Sequence, residues 1–384
     1  MSASTLSPLT TATLTWLQGD QPQHALWRSE AGVPAPATVV LADDTLNADA
    51  AYKLVCEGTA LLWQGDYHQA RQMLQALARR VDRKRAGKPA TSAKEAFHQH
   101  RQRQAHKARV LGLLLLPFEA GHTVPLRRAP DVREACEAVW GPASEPYVAS
   151  LRELQGLIGA HEWRKSGVEI PALRGRIHAH YGVFSPVRGE YVDLVAQAPL
   201  PAGAQALAFD IGVGSGVLSA VLAHRGVQRV VATDQDLRAL ACARANLTQL
   251  GLIKQVDLQQ VDLFPAGRAP LVVCNPPWVP AQPSAPIEHA VYDPDSRMLK
   301  GFLAGLREHL TSDGEGWLIL SDLAEHLGLR SREELMGWID AAGLTVLGRM
   351  DAQPRHPKAS DPDDPLHQAR SKEITSLWRL GPCD

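Results

Sequence analysis

The chain has 384 residues, enough for two domains at about 100–200 residues each. Hydrophobic residues make up 45% and charged residues 21%, the balance of a soluble globular protein, and no apolar run nears the roughly 18 residues of a membrane span. The formal net charge of -1 excludes any argument from bulk charge, so electrostatic recognition of a partner has to be local.

The opening M-S-A-S-T-L-S-P-L-T has no basic stretch ahead of an apolar core, which speaks against a signal peptide. Residues 1–45 are rich in Thr, Ser, Pro and Ala and read as irregular, with a strand at residues 38–41. From Asn47 apolar residues recur at helical spacing (Ala50, Ala51, Leu54, Ala60, Leu61, Leu62). Gln64-Gly65-Asp66 interrupts them, and Tyr67, Ala70, Leu74, Leu77 and Ala78 resume the pattern as a helix hairpin. Its G-D-Y-x-x-A piece resembles one tetratricopeptide unit. Only one copy is visible and such arrays need several, so an ordinary helix pair is expected.

A basic segment follows. Arg79, Arg80, Arg83, Lys84, Arg85, Lys88, Lys94, Arg101, Arg103, Lys107 and Arg109 are opposed only by Asp82 and Glu95. Residues 92–116 read as one helix, polar and basic first and apolar at its end. Clustered cations release condensed counterions from nucleic acid, so Arg101, Arg103 and Lys107 are candidate RNA contacts; the plainer reading is a solvated helix face. His98, His100 and His106 are interleaved, but no carboxylate or cysteine completes a ligand set, and no metal is expected. Cys56, Cys136, Cys242, Cys274 and Cys383 form no C-x-x-C. They suit free thiols in a reducing compartment, and the cytoplasm is the expected setting.

Helices are expected at residues 131–140 and 145–160, between prolines 117, 125, 130 and 142. They complete a mostly α-helical amino-terminal domain, residues 1–165, that would recognise the substrate. A linker and pre-motif, residues 166–200, lead to a cofactor-binding domain, residues 201–384.

In that last domain an apolar strand (Ala206, Leu207, Ala208, Phe209) ends in Asp210. A turn with Gly212, Gly214 and Gly216 follows, and then an apolar helix. This is the first βα unit of a doubly wound nucleotide-binding sheet. The third glycine stands two residues after Gly214, not three, so the spacing is not the dinucleotide fingerprint. A carboxylate before the turn repels a pyrophosphate and suits a cationic ligand such as S-adenosylmethionine. Further strands end at Asp234, Asp262 and Asn275, alternating with helices. The expected fold is therefore α/β: a Rossmann-like, seven-stranded doubly wound sheet with its last strand antiparallel. Asp234, about 20 residues past the glycines, is placed to hold ribose hydroxyls. Asp262 is placed to accept from an adenine amino group.

Asn275-Pro276-Pro277-Trp278 directly follows the apolar run 271–274. An exocyclic amine or carboxamide nitrogen is a poor nucleophile because its lone pair is delocalised. Two acceptors, the Asn275 side-chain oxygen and the Pro276 carbonyl, hold both N–H bonds and turn the lone pair toward a methyl group. Trp278 offers a stacking face, and Pro276 and Pro277 stiffen the loop without adding donors. This is positioning catalysis, with no strong base required.

On these residues, roughly 181–320 resemble the class I S-adenosylmethionine-dependent methyltransferases with an N-P-P-aromatic box. The Gly182-Val183-Phe184-Ser185 piece resembles small-domain rRNA methyltransferases. Phe184-x-Pro186-x-Arg188-x-Glu190 resembles the release-factor glutamine methyltransferases, with Gly189 where those have proline. The resemblance implies that this pre-motif lies over the cofactor, with Phe184 and Arg188 as contacts. Residues 293–296 and 298–303 also resemble the glutamine enzymes, and the loop 353–369 is a candidate border of the substrate. The expected activity is N-methyl transfer to a base amino group in rRNA or tRNA. The alternatives are a protein glutamine N5-methyltransferase acting on a translation factor, and a non-catalytic cofactor-binding protein, against which the intact box argues.

Overall fold

The structure is a computed structural model that describes residues 12–83, 89–283, 288, 290–355 and 361–383. Lys84, Arg85 and Lys88 of the basic segment, and residues 356–360 of the loop 353–369, lie outside the described residues. The chain divides into two compact units, Met1–Pro89 with Gln99–Glu162, and Ala90–His98 with Trp163–Asp384.

The first unit is built on a sheet. In chain order its elements are β1 (Ala12–Gln18), β2 (Gln21–Trp27), β3 (Val39–Ala42), α1 (Ala48–Cys56), β4 (Ala60–Trp63) and α2 (Tyr67–Arg83). α3 (Ala93–Gly112), β5 (Leu114–Phe118), α4 (Arg133–Trp140), β6 (Tyr147–Ser150) and α5 (Leu151–Ser166) follow. The six strands lie in the order β1-β2-β6-β5-β4-β3. The helices foreseen from the sequence are present, but they dress this six-stranded sheet rather than form a mostly helical bundle. The reason is burial. All four residues of β4 are buried, as are all four of β6, and a short apolar run with no wet face shows no period to separate strand from helix.

The second unit begins with a hairpin, β7 (Val168–Ile170) and β8 (Gly175–Ile177), and a helix α6 (Glu190–Gln197). β9 (Ala208–Ile211), α7 (Val217–His224), β10 (Val230–Asp234), α8 (Leu237–Gln249), β11 (Val256–Gln260) and β12 (Ala269–Cys274) come next. The chain closes with α9 (Arg297–His309), β13 (Leu310–Ser321), α10 (Leu323–His326), α11 (Arg332–Ala341), β14 (Leu344–Ala352), α12 (His367–Arg370) and β15 (Thr375–Pro382). Seven strands lie in the order β11-β10-β9-β12-β13-β15-β14, with β15 antiparallel to both neighbours. This is the α/β architecture expected of the sequence.

Residues 166–200, read as a linker, are part of the core. Ile170, Leu173, Ile177, Tyr191, Val192 and Val195 are buried in the same apolar cluster as α7 and β9. Each side chain gains roughly 1.5–3 kcal/mol by leaving water, which holds the pre-motif to the sheet. Phe97 is also core: it packs with Val279, Leu327, Leu366 and Ala369, so the start of α3 belongs with the second unit.

Candidate active site

The sheet reverses direction at β9. The chain runs outward from β9 through β10 to β11, then returns to place β12 on the other flank of β9. Ligands of such sheets sit at the carboxyl ends of the strands beside this switch point. Asp210 pairs in register with Ala232 on one side and Val273 on the other. The glycine turn after β9 and the residue Asn275 after β12 are therefore neighbours by topology.

All three turn glycines have left-handed backbone, with φ of 77° at Gly212, 51° at Gly214 and 82° at Gly216. Two also need their missing side chain. A Cβ on Gly212 would stand 2.6 Å from Met298 Cε, and one on Gly216 would stand 3.1 Å from Ala243 Cα. The turn is anchored by Gly212 and Val213 N–H donating to Thr233 O.

Asp210 lies within β9, one residue before the strand ends, and is 1% exposed. Ser219 Oγ donates to its Oδ2 at 2.5 Å. Burial pushes the carboxyl up to about 6, against the Ser219 hydrogen bonds and helped by the negative charge of Asp234. A dry carboxylate beside the turn is a site that a bound cation relieves. Asp234 ends β10, and Gly214 N–H and Asp236 N–H donate to its two oxygens at 3.1 and 2.9 Å. Its pKa is also raised, chiefly by burial. Each oxygen keeps a lone pair for a ribose hydroxyl.

Asp262 lies just past β11. β11 stops at Gln260, and the Asp262 carboxylate is exposed and paired with Arg297 at 2.8 Å. Leu263, next in the chain, has left-handed backbone with φ 67°.

The acceptor box follows β12 directly. Trp278 Nε1–H donates to Asn275 Oδ1 at 2.8 Å. The Arg188 guanidinium lies 4.9 Å over the Trp278 ring. Arg188 Nε also donates to Glu190 at 3.0 Å, and Nη2 to Glu373 at 2.9 Å, both carboxylates being buried. Arg188 was read as a cofactor contact. Two of its donors go to buried carboxylates and its face lies over the indole, so it braces the loop that carries Trp278. Phe184 packs against the cluster of β9 and α7, which Trp278 also borders, with its ring 6.5 Å from Tyr191.

Sequence reasoning missed several residues of this site. Ser219 and Glu373 carry no motif. Asn246, on the buried face of α8, donates to Ser215 O in the glycine turn at 2.9 Å and accepts from His178 N–H at 2.8 Å, tying the pre-motif to the turn. An asparagine among the apolar residues of a helix was the only signal.

The basic helix is partly spent. Lys107 Nζ pairs with Asp82 at 2.7 Å, and Arg103 Nε donates to Gln99 O at 3.1 Å. Arg101 also has a partner. A second cationic surface lies on α2. His68, Gln69, Arg71, Gln72, Gln75 and Arg128 line a cavity of about 410 Å³ without a carboxylate. Buried Asp66 holds Arg127, and Arg128 of this lining, at 2.9 and 2.7 Å. Among the described residues no group of three His, Cys, Asp or Glu is placed to hold a metal ion, and no helix is long and apolar enough to cross a membrane.

Residues 174–332 match the family described as "Methyltransferase small domain". This part of the chain is similar to the methyltransferase small domain family. It is a class I module whose cofactor is S-adenosylmethionine, and the strand-end residues fit that cofactor: Asp210 its positive charge, Asp234 its ribose. The chain is 32% identical over 145 residues to a tRNA1(Val) (adenine(37)-N6)-methyltransferase of Shewanella sp. (strain MR-4). The match covers 35% of this chain and 60% of that protein. It is 35% identical over 100 residues to a release factor glutamine methyltransferase of Mycolicibacterium smegmatis, covering 25% of this chain and 36% of that one. Among solved structures, a ribosomal protein L11 methylase from Lactobacillus delbrueckii subsp. bulgaricus aligns at a TM-score of 0.37 and 17% identity, over 55% of this chain and 87% of that one.

Proposed function

We propose that the whole chain is an N-methyltransferase that modifies a base amino group in RNA. The observation that carries the chemistry is Asn275 Oδ1 at the end of β12, oriented by the Trp278 indole at 2.8 Å, on the strand next to the glycine turn. Bound S-adenosylmethionine supplies an electrophilic methyl group on a positively charged sulfur. Asn275 Oδ1, through its second lone pair, and Pro276 O accept the two N–H bonds of the amine. The nitrogen lone pair then points at the methyl carbon. These two acceptors would hold the nitrogen while it takes the methyl group, and its surplus proton would leave to water. Asp210 and Asp234 hold the cofactor, and the Arg188 brace keeps the Trp278 ring fixed as a stacking wall.

RNA as the acceptor is supported by the carboxylate-free cavity of the first unit. Arg71 suits phosphate and the glutamine amides suit base edges. The tRNA adenine-N6 activity named for the Shewanella relative points the same way. A protein glutamine acceptor is favoured by one observation, the Arg188–Glu190 pair in the pre-motif. Labelled methyl transfer into RNA and protein fractions decides between them. Label removed by ribonuclease is the expected result; label that survives ribonuclease and is lost to protease overturns the RNA acceptor.

A further inference from the structure

Asp293 is 5% exposed and faces two ways. Its backbone N–H donates to Val279 O at 2.9 Å, and Val279 N–H donates to Val291 O at 3.2 Å. Val279 and Tyr292 form an isolated bridge. The residue after Trp278 is thereby stitched to segment 291–293. The Asp293 carboxylate reaches the start of α9 instead. Oδ1 accepts from Met298 N–H at 3.0 Å and Oδ2 from Leu299 N–H at 3.1 Å.

Those N–H groups belong to the first turn of α9, where no intrahelical partner exists. Ser296, at the N-cap position, makes no side-chain cap bond. Asp295 and Ser296 have left-handed backbone, φ 56° and 54°, a strained choice for residues with a Cβ. That bend puts the Asp293 carboxylate under the helix start, where the helix dipole also favours an anion. Met298, whose N–H is held this way, is the residue whose methyl lies over Gly212. One residue thus reaches the acceptor loop through its backbone N–H and the cofactor turn through its carboxylate and Met298.

We propose that Asp293 is a positioning residue that fixes the separation between the glycine turn and the acceptor loop; this rests on the methyltransferase reading. Transfer requires donor and acceptor atoms about 3–3.5 Å apart, and a displacement of about 1 Å costs on the order of a hundredfold in rate. Asp293→Asn keeps one acceptor and turns a donor toward the second helix N–H.

The test is hydrogen exchange on the full chain with and without S-adenosylhomocysteine, read beside turnover. In the wild type the ligand protects both residues 212–216 and the amides of Trp278 and Val279. In Asp293→Asn, protection at 278–279 is lost, while the ligand's Kd stays within about threefold and kcat falls at least about tenfold. Met298→Ala, which leaves the cap intact, shows the same loss of ligand-induced protection at 278–279, and it stands in if Asp293→Asn does not fold. Protection that persists at both places in either variant overturns the proposal, as does a lower Tm with unchanged kcat per folded molecule. A wild-type chain that binds the ligand with coupled protection but transfers no methyl refutes the enzymatic reading and leaves the coupling standing.

Discussion

The Trp278 indole N–H holds the Asn275 side-chain oxygen at 2.8 Å. In the proposed function the aromatic residue of the box is thus more than a stacking wall: its N–H holds the Asn275 amide oxygen in place. Phenylalanine cannot make this bond, so the choice of tryptophan has a mechanical consequence.

Trp278→Phe keeps a ring for stacking and loses the donor. A hydrogen bond of this kind is worth about 0.5–1.5 kcal/mol net, so kcat is expected to fall about 2–12-fold with cofactor affinity unchanged. Steady-state turnover beside calorimetric titration of S-adenosylhomocysteine checks this.

Arg188 neutralises two buried carboxylates, Glu190 and Glu373. Ser321 Oγ donates to the latter at 2.6 Å. Removing one partner of a buried ion pair costs about 3–5 kcal/mol. Arg188→Ala is expected to lower the denaturation midpoint accordingly, and Arg188→Ala with Glu373→Gln to recover part of it. Equilibrium urea unfolding measures both.

Gly216→Ala combines a left-handed φ of 82° with a Cβ 3.1 Å from the Ala243 backbone. Strain at such a position costs about 1–3 kcal/mol, and the α7–α8 contact must open to relieve it. The variant is expected to lose stability by about that amount in thermal unfolding.

Asp210 has its folded carboxyl raised from 3.8 to about 6. The folded state then binds the proton more tightly than the unfolded state, so this group favours folding below about pH 4, and its contribution is lost as pH rises through about 6. Affinity for a cationic ligand runs the other way, because it needs the ionised form. Binding of S-adenosylhomocysteine, which keeps the ammonium group, is expected to weaken by up to about tenfold per pH unit below about 6. Titrations from pH 5 to 8 read the slope; Asp210→Asn should abolish it.

Much of this site was legible because its chemistry is local. The glycine turn, the carboxylates Asp210 and Asp234, and the Asn275-Pro276-Pro277-Trp278 box each sit where a strand stops, and the strand–helix alternation orders them. The brace on Trp278 was not legible, since Glu373 lies 185 residues from Arg188. The first unit's sheet was lost for a different reason. Leu114, Leu115 and Leu116 are buried in β5 but read as the end of the preceding helix, because a fully apolar run has no period. The hairpin of β1 and β2 did carry a signal, the two-residue turn Gly19-Asp20 between its paired strands. Phe97 stands among the cations of residues 94–109, and no spacing reveals that it turns inward.

Asn275→Ala bears most directly on the central claim, that the acceptor nitrogen is activated by an oxygen at the end of β12 while the cofactor is held elsewhere. The measurement is single-turnover methyl transfer together with calorimetric binding of S-adenosylhomocysteine on the same preparation. Transfer reduced at least about a hundredfold with Kd within about threefold is the expected result. Transfer that persists, or cofactor binding lost along with it, contradicts the role given to Asn275.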